Sequence, residues 1–315
     1  MKAVIFATSI IVSQMKADKM TLDLHTVCEC NDCLGTKTLH PQATIVDLGR
    51  QRIGHGAVKF EFYAIMLIAQ CPDGCTCCGR RYYDFADATM VFLTPGEVFR
   101  MSADDTLPDH GRLLAFHPDL LATTSLRNNI GNYTFFNYRK EEALHLSERE
   151  TRTVKCCMEY IDDELHHAID THTCTILSRQ IELLLDFCSR FYERQFITRE
   201  NKNKAIIARF SHLLDDYLMS GRLEAGAIPE ASCFAPRLNL SEAYFADLLR
   251  FETGKDLAQY VRLRQIELAK QLLLSPGSTP VGVARRLGFA NVQVFTAIFR
   301  KLTGTAPGDY RLAAN

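Results

Sequence analysis

Gly282–Arg311 reads GVARRLGFANVQVFTAIFRKLTGTAPGDYR, and the fold class turns on it. Val283, Ala284 and Leu287 recur at helical spacing, and Gly288 stops the helix they define. Asn291 is placed to cap a second helix that runs to about Leu302 and ends at Gly304. Val294, Phe295, Ile298, Phe299 and Leu302 fall on one stripe of that helix and require a partner surface. Val292, Gln293, Thr296, Ala297 and Arg300 fall on the other side and are expected to face outward. Two short helices meeting at a glycine turn, the second with small and hydrogen-bonding residues outward, fit a helix-turn-helix. The same pattern also fits an ordinary helical hairpin in an all-α domain.

The rest of the chain supplies the context. At 315 residues it is long for one core, which predicts more than one domain. A hydrophobic fraction of 47% with a net charge of −1 describes a soluble globular protein and excludes a uniformly basic one. The charge is uneven: from Ala231 onward, 11 Lys/Arg stand against 6 Asp/Glu. A basic C-terminal module on an acidic body suits local contact with a polyanion. The 12 cysteines have no disulfide-framework spacing and read as reduced thiols of a cytoplasmic protein. The apolar run Ala3–Val12 is too short to span a bilayer and lacks a small-residue cleavage site. Residues 1–20 are therefore expected to be disordered or upstream of the natural start at Met15 or Met20, with no membrane involvement.

From Thr44 to about Phe116 the chain alternates β-rich runs with turn signals. The runs are ATIVDLG, AVKFEFYAIMLIA, RRYYDFA, ATMVFLTPGEVFRM and GRLLAF. The turns fall at Gly49, Gly54, Gly56, Pro72-Asp73-Gly74, Pro95-Gly96 and Asp104-Asp105. Such spacing predicts a small barrel or sandwich, and barrels of this size often hold one small ligand. His40, His55, His110 and His117 are scattered without the pattern of a cupin metal site, and His117 before Pro118 reads as structural. No catalytic constellation stands out, so the chain is not read as an enzyme. Cys28, Cys30 and Cys33 form one thiol cluster, and Cys71, Cys75, Cys77 and Cys78 another. Soft thiolates so close together suit a metal or redox sensor, although neither cluster has paired CxxC spacing.

Ser147 and Glu150 form a capping box for a helix carrying Val154, Cys157 or Met158, Ile161, Leu165 and Ile169. A second helix begins near Thr171 or His172 and repeats Leu177, Ile181, Leu184, Cys188 and Phe191, a coiled-coil seam. That hairpin is expected to pack within the chain and also to serve a dimer. The polar run Thr198–Lys204 reads as a linker. After it, Phe210, Leu213, Leu214, Tyr217 and Leu218 make an amphipathic helix. A second copy of the opening pattern then follows. Ser241 caps a helix with Tyr244, Phe245, Leu248, Leu249 and Phe251 inward or at the edge. Glu242, Ala243, Ala246, Asp247 and Arg250 lie outward. A long helix, Leu257–Leu274, joins the copies, and rigid joining would let both second helices enter successive major grooves about 34 Å apart.

Leu287-Gly288-Phe289, Phe295, Phe299-Arg300-Lys301, Gly304, Pro307 and Tyr310-Arg311 resemble the closing signature of AraC/XylS-type transcription regulators. Leu240-Ser241, Tyr244-Phe245, Glu252-Thr253-Gly254, Tyr260-Val261 and Leu263-Arg264 resemble the same family's first motif and linker helix. The resemblance covers roughly Phe210 to Arg311, and the N-terminal half looks like that family's cupin-like effector domain followed by a helical dimerisation segment. It implies a multidomain α and β fold: an N-terminal cupin-like β-barrel with a helical dimerisation hairpin, and a C-terminal all-α domain with two helix-turn-helix motifs. The expected layout is a β domain over 21–143, a helical segment over 144–197, a linker over 198–206 and a DNA-binding domain over 207–315. It further implies a homodimer without cofactor that binds double-stranded promoter DNA, works through RNA polymerase and responds to a small-molecule effector.

Base reading is expected from Gln293 toward adenine and from Asn291 toward a base or phosphate, unless Asn291 only caps its helix. Val292 and Ala243 can touch thymine methyls, and Asp247 can accept from cytosine or repel phosphates. Arg250, Arg300 and Lys301 suit phosphates, unless Arg300 pairs with a carboxylate. Ser241, Glu242, Ala246, Thr296 and Ala297 complete the expected DNA-facing set. The sequence departs from the family at Pro280, Gly282 and Pro236. Pro280 suits a helix start, but Pro236 stands inside a helix, where proline costs about 3 kcal/mol. Either that helix starts late or the first motif is distorted, so the second is expected to be the better formed.

Overall fold

The computed structural model describes residues 21–48, 57–69, 78–81, 83–100, 111–225 and 228–313. Residues 1–20, the thiols Cys71, Cys75 and Cys77, His55, His110 and the turns read at 49–56, 72–74 and 104–105 lie outside them. The chain divides into two compact units, one up to Thr198 and one from Arg199 onward.

The first unit opens with β1 (Thr21–Leu24) and α1 (Val27–Cys33), then carries β2 (Ala43–Asp47), β3 (Ala57–Phe60) and β4 (Tyr63–Ala69). It continues with β5 (Ala88–Leu93), β6 (Glu97–Arg100), β7 (Gly111–Phe116) and β8 (Leu144–Leu146). The order β1-β3-β6 makes one sheet and β2-β7-β4-β5-β8 the other. Period-two burial explains their shared core. Val46, Met66, Val91 and Leu113 of the larger sheet pack with Leu24, Val58, Phe60 and Phe99 of the smaller. The other face of the larger sheet carries Phe116 stacked on Tyr63, with the Tyr63 ring meeting Phe136 and the Phe92 ring meeting Phe135 and Tyr192. With both faces covered, β5 is buried at every position.

Several readings are corrected here. AVKFEFYAIMLIA is two strands, broken at Glu61-Phe62, where the Glu61 N–H donates to Leu24 O (2.9 Å). RRYYDFA forms no strand among its described residues. The short strand β1 and the helix α1, capped by Thr26 Oγ1, stand in a region where neither was expected. His117 is structural as expected: its ring Nδ1 accepts the Asp119 N–H (3.2 Å) at the start of a short 3-10 turn.

The helical hairpin is α3 (Glu148–Leu165) and α4 (Thr173–Thr198), preceded by the short α2 (Leu126–Asn129). Ser147 and Glu150 form the expected capping box, each accepting the other's backbone N–H. Val154, Cys157, Met158, Ile161 and Leu165 are buried, as are Leu177, Ile181, Leu184, Cys188 and Phe191. Ile169 is 57% exposed because α3 stops at Leu165, four residues before it. Arg194, near the end of α4, grips Glu150 at the start of α3 through two nitrogens (3.0 and 2.8 Å), which sets the helices antiparallel.

Glu182 on α4 accepts from Asn129 (3.0 Å), Arg179 (2.9 Å) and Ser125 (3.4 Å), tying α4 to the segment around α2. The Asn129 hydrogen bond, helped by Arg179, holds its carboxyl below the usual glutamate range. A depressed carboxyl pKa contributes stability that is present above the ordinary glutamate value and lost as pH falls through the folded-state value. Glu182→Gln is therefore expected to destabilise the first unit at neutral pH and to flatten the acid limb of its stability profile below about pH 4.5. Thermal melts across pH would show parallel acid limbs for both proteins if the carboxylate contributed nothing.

The second unit is all helical: α5 (Glu200–Met219), α6 (Ala231–Leu238), α7 (Glu242–Thr253), α8 (Leu257–Leu274), α9 (Pro280–Arg286), α10 (Val292–Thr303) and α11 (Pro307–Ala313). Phe210 of α5 is fully buried against Phe234, Phe245 and Tyr260, making one core. Ile266, Ala269, Leu273, Val283, Leu287, Phe295 and Phe299 make another. Because α8 contributes Tyr260 to the first and Ile266, Ala269 and Leu273 to the second, it is the spine joining them. The stretch 198–206, read as a linker, is helical from Glu200 onward, with Asn203 fully buried. The division between units falls within it, at the boundary between α4 and α5.

Candidate nucleic-acid interface

Two copies of one local structure stand in the second unit. In the first, α6 ends at Asn239 in the left-handed conformation (φ 57°), with Leu240 N donating to Ala235 O (3.0 Å) and Asn239 N to Pro236 O (3.1 Å). In the second, α9 ends at Gly288 (φ 72°), with Phe289 N to Ala284 O (3.0 Å) and Gly288 N to Arg285 O (3.0 Å). Both are Schellman closures, the chain's means of satisfying orphan carbonyls while it turns. The next helix is then capped by Ser241 Oγ (from Tyr244 N, 3.2 Å) or by Asn291 Oδ1 (from Val294 N, 2.8 Å). Each second helix closes alike: Gly254 N donates to Arg250 O (2.8 Å) and Gly304 N to Arg300 O (2.9 Å). Even the hydroxyls agree, Thr253 Oγ1 donating to Leu249 O (2.6 Å) and Thr303 Oγ1 to Phe299 O (2.8 Å).

Pro236 is the sixth residue of α6 and does not delay its start. Proline there removes one helical bond from a helix only 8 residues long, and the Schellman closure beside it is intact. The first motif is thus as regular as the second, contrary to expectation.

The outward faces follow from this geometry. On α7, Glu242, Ala246 and Arg250 are exposed and Ala243 and Asp247 half-buried, while Ser241 is buried as the cap. On α10, Gln293, Ala297, Arg300 and Lys301 are exposed and Thr296 is half-buried. Val292 was expected outward but is half-buried against the second core. Val294 and Leu302, assigned to the inner stripe, are 40% and 43% exposed; the core accepts only the arc centred on Phe295 and Phe299, both fully buried. Asn291 caps α10, so its Oδ1 is committed and its amide N–H groups remain for an acceptor.

Further cations surround the second motif beyond those read from the sequence. Arg262 of α8 is exposed and stacks over the Phe289 ring, 5.1 Å from its centroid, at the turn between α9 and α10. Arg285 and Arg286 are exposed at the end of α9. The Arg-Arg pair beside the glycine turn was the available signal; Arg262 stands 23 residues before Arg285, on another helix, so no local pattern links it to the turn. Two polar contacts hold the spine in place. Gln265 donates to Leu287 O (2.9 Å) and is buried, which fixes α8 to the end of α9. Arg264 makes a two-pronged pair with Asp215 of α5, whose hydrogen bond pushes the guanidinium pKa further up.

Among the described residues, no group of three or more His, Cys, Asp and Glu is arranged to hold a metal. Cys30 and Cys78 are buried in the hydrophobic core, and burial pushes the Cys30 thiol up to about 12. No described helix is long and apolar enough to cross a membrane.

A family model described as a helix-turn-helix domain matches residues 234–313. The chain is similar to the uncharacterized HTH-type transcriptional regulator YobQ of Bacillus subtilis (strain 168), 36% identical over 69 residues, 22% of this chain and 29% of that one. It is also similar to the probable transcriptional regulator LumQ of Photobacterium leiognathi, 22% identical over 226 residues, 70% of this chain and 81% of that one. Among solved structures, the C-terminal domain of AraT, a response regulator from Geobacillus stearothermophilus, aligns over 34% of this chain and 84% of its own, at 24% identity and a TM-score of 0.28. The chain spans less than a third of the length of the first of these relatives.

Proposed function

We propose, with residues 234–313 taken as an AraC-type helix-turn-helix domain, that this chain is a transcription regulator that binds promoter DNA sequence-specifically through α7 and α10. The observation that carries the reading is the duplicated, capped motif joined by one rigid helix, α8. Such joining presents two helices to successive major grooves of one duplex face. Base edges would be read from the exposed positions Gln293, Glu242, Ala246 and Ala297, with Ala243, Asp247 and Thr296 at the margin. Arg250, Arg300 and Lys301 would hold phosphates, and Asn291 would donate to a phosphate or a base acceptor. Footprinting of bound DNA across the genome tests this directly, and absence of protection at any promoter would overturn it. Gln293→Ala is expected to relax preference at one base pair by about 1–3 kcal/mol. An equal loss on every sequence would remove Gln293 from base reading.

In this reading residues 21–143 form a cupin-like effector domain and 144–197 a dimerisation segment, while 207–315 bind DNA. The two sheets packed face to face over one core are the support for the β domain of this reading. The hairpin leaves Tyr160 (63%), Leu183 (51%) and Ile176 (38%) exposed, an apolar face that a second copy would cover. Charge favours the same partner mildly: the first half of α3 carries Arg149, Arg152 and Lys155 with Glu148 and Glu150, and its second half Glu159, Asp162, Asp163 and Glu164 without a cation. An antiparallel two-fold pairing sets each half against its opposite. Sedimentation at micromolar concentration would return a dimer, and a monomer would remove this part. The chain would then act in the cytoplasm, without catalysis or cofactor, passing a small-molecule signal to RNA polymerase at the promoter.

A further inference from the structure

We propose that the two motifs divide the work. Glu242 makes the first half-site selective for cytosine by exclusion, and the second motif, besides the base contact of Gln293, supplies a cationic rim that holds the duplex whatever its sequence. This rests on the DNA-binding reading above.

The local structures are near copies, yet their charges are opposed. Pro229–Gly254 contains the acids Glu230, Glu242, Asp247 and Glu252 and the cations Arg237 and Arg250. Thr279–Gly304, the matching stretch, contains Arg285, Arg286, Arg300 and Lys301 and no acid. Arg262, stacked over the second motif's turn, adds a fifth exposed cation there. Similar backbones with opposite charge will meet a polyanion differently.

Glu242 is the first residue of α7, directly after the Ser241 cap, and it is exposed. Side chains at the start of a recognition helix reach base edges. A carboxylate carried into the groove is repelled by the phosphates, so it weakens binding to duplex in general. Cytosine offsets the repulsion best: its N4 amino group donates with no acceptor of its own base beside it, whereas adenine's N6 donor is flanked by the N7 acceptor, and guanine O6 and thymine O4 set acceptor against acceptor. Repulsion from most sequences with relief at one is discrimination by exclusion. The second motif cannot repeat the device: the residue in the matching place is Val292, half-buried against the core. Its exposed cations contact phosphates, which are present in every sequence.

The test is selection from a random-duplex pool with the full chain and with Glu242→Ala, followed by fluorescence anisotropy on chosen duplexes. The wild-type chain is expected to select a fixed cytosine in one half-site and to prefer it about ten-fold. Glu242→Ala should lose that preference and bind unselected duplex about three-fold more tightly. Arg300→Gln with Lys301→Gln should weaken binding about equally on all sequences, leave the selected sequence unchanged and flatten the salt dependence. Circular dichroism would verify that each variant folds. If wild type binds duplex but Glu242→Ala keeps the same selected cytosine, or gains nothing on unselected duplex, the division of work is wrong and the DNA-binding reading stands. If the wild-type chain binds no duplex at all, both fall together.

Discussion

Phe299→Ala is expected to destabilise the second motif by about 3–5 kcal/mol and to abolish sequence-specific DNA binding. The ring is fully buried and meets Phe295 and Tyr310, each with centroids 5.5 Å away. Truncation removes the transfer energy of the ring, leaves a cavity and deprives two aromatic neighbours of a partner. The neighbours cannot close it easily, because Phe295 is held by Phe289 (5.0 Å) and Tyr310 belongs to a separate helix. A folded domain of this size holds only about 5–15 kcal/mol in total, so the loss is a large share of it. Leu302→Ala is the control on the same helix: its side chain is 43% exposed, and the expected change is within about 0.5 kcal/mol. Urea denaturation of the full chain with DNA binding in parallel checks both. Similar losses from the two substitutions would mean that the core is not centred on Phe299.

Gly288→Ala is the second large effect, at about 2–4 kcal/mol. Its φ of 72° places an L-residue in the left-handed region, which costs about 1–2 kcal/mol. An added Cβ would also stand 2.9 Å from Leu223 Cβ, closer than real Cβ atoms come, and at a tight 3.1 Å from Leu223 O. Leu223 is buried and cannot retreat without moving its own turn. Gly304→Ala separates the two causes, since its φ is 82° but nothing lies within 4 Å of the added atom. It is expected to cost only about 1 kcal/mol. Equal losses at the two glycines would show that the approach of Leu223 contributes nothing. The first motif places Asn239 at the position matching Gly288, the one other residue that tolerates a left-handed cap well.

Much of the candidate interface was legible before any tertiary structure. Caps act through hydrogen bonds within a few residues, so Ser147, Ser241 and Asn291 announced helix starts, and Gly254 and Gly304 helix ends, correctly. Seams such as Leu177-Ile181-Leu184-Cys188 were legible because helical spacing fixes which side chains share a face. The polar run at 198–206 was read as a linker because composition does not reveal that α5 begins at Glu200 or that Asn203 is buried. Val292, Val294 and Leu302 were misassigned for a related reason. Periodicity gives a stripe but not the width of the surface that will cover it.

By itself the sequence determined the repeat: two turn-linked helix pairs, each with its cap, its closing glycine and its aromatic core positions. These are local properties, set by backbone hydrogen bonds and by side-chain period. Tertiary structure alone decided which edge of each second helix stays in water and that α8 joins the two cores. It also decided that Arg262 lies over Phe289 beside Arg285 and Arg286. Those outcomes depend on contacts between residues far apart in the chain, whose geometry is fixed only when the cores close.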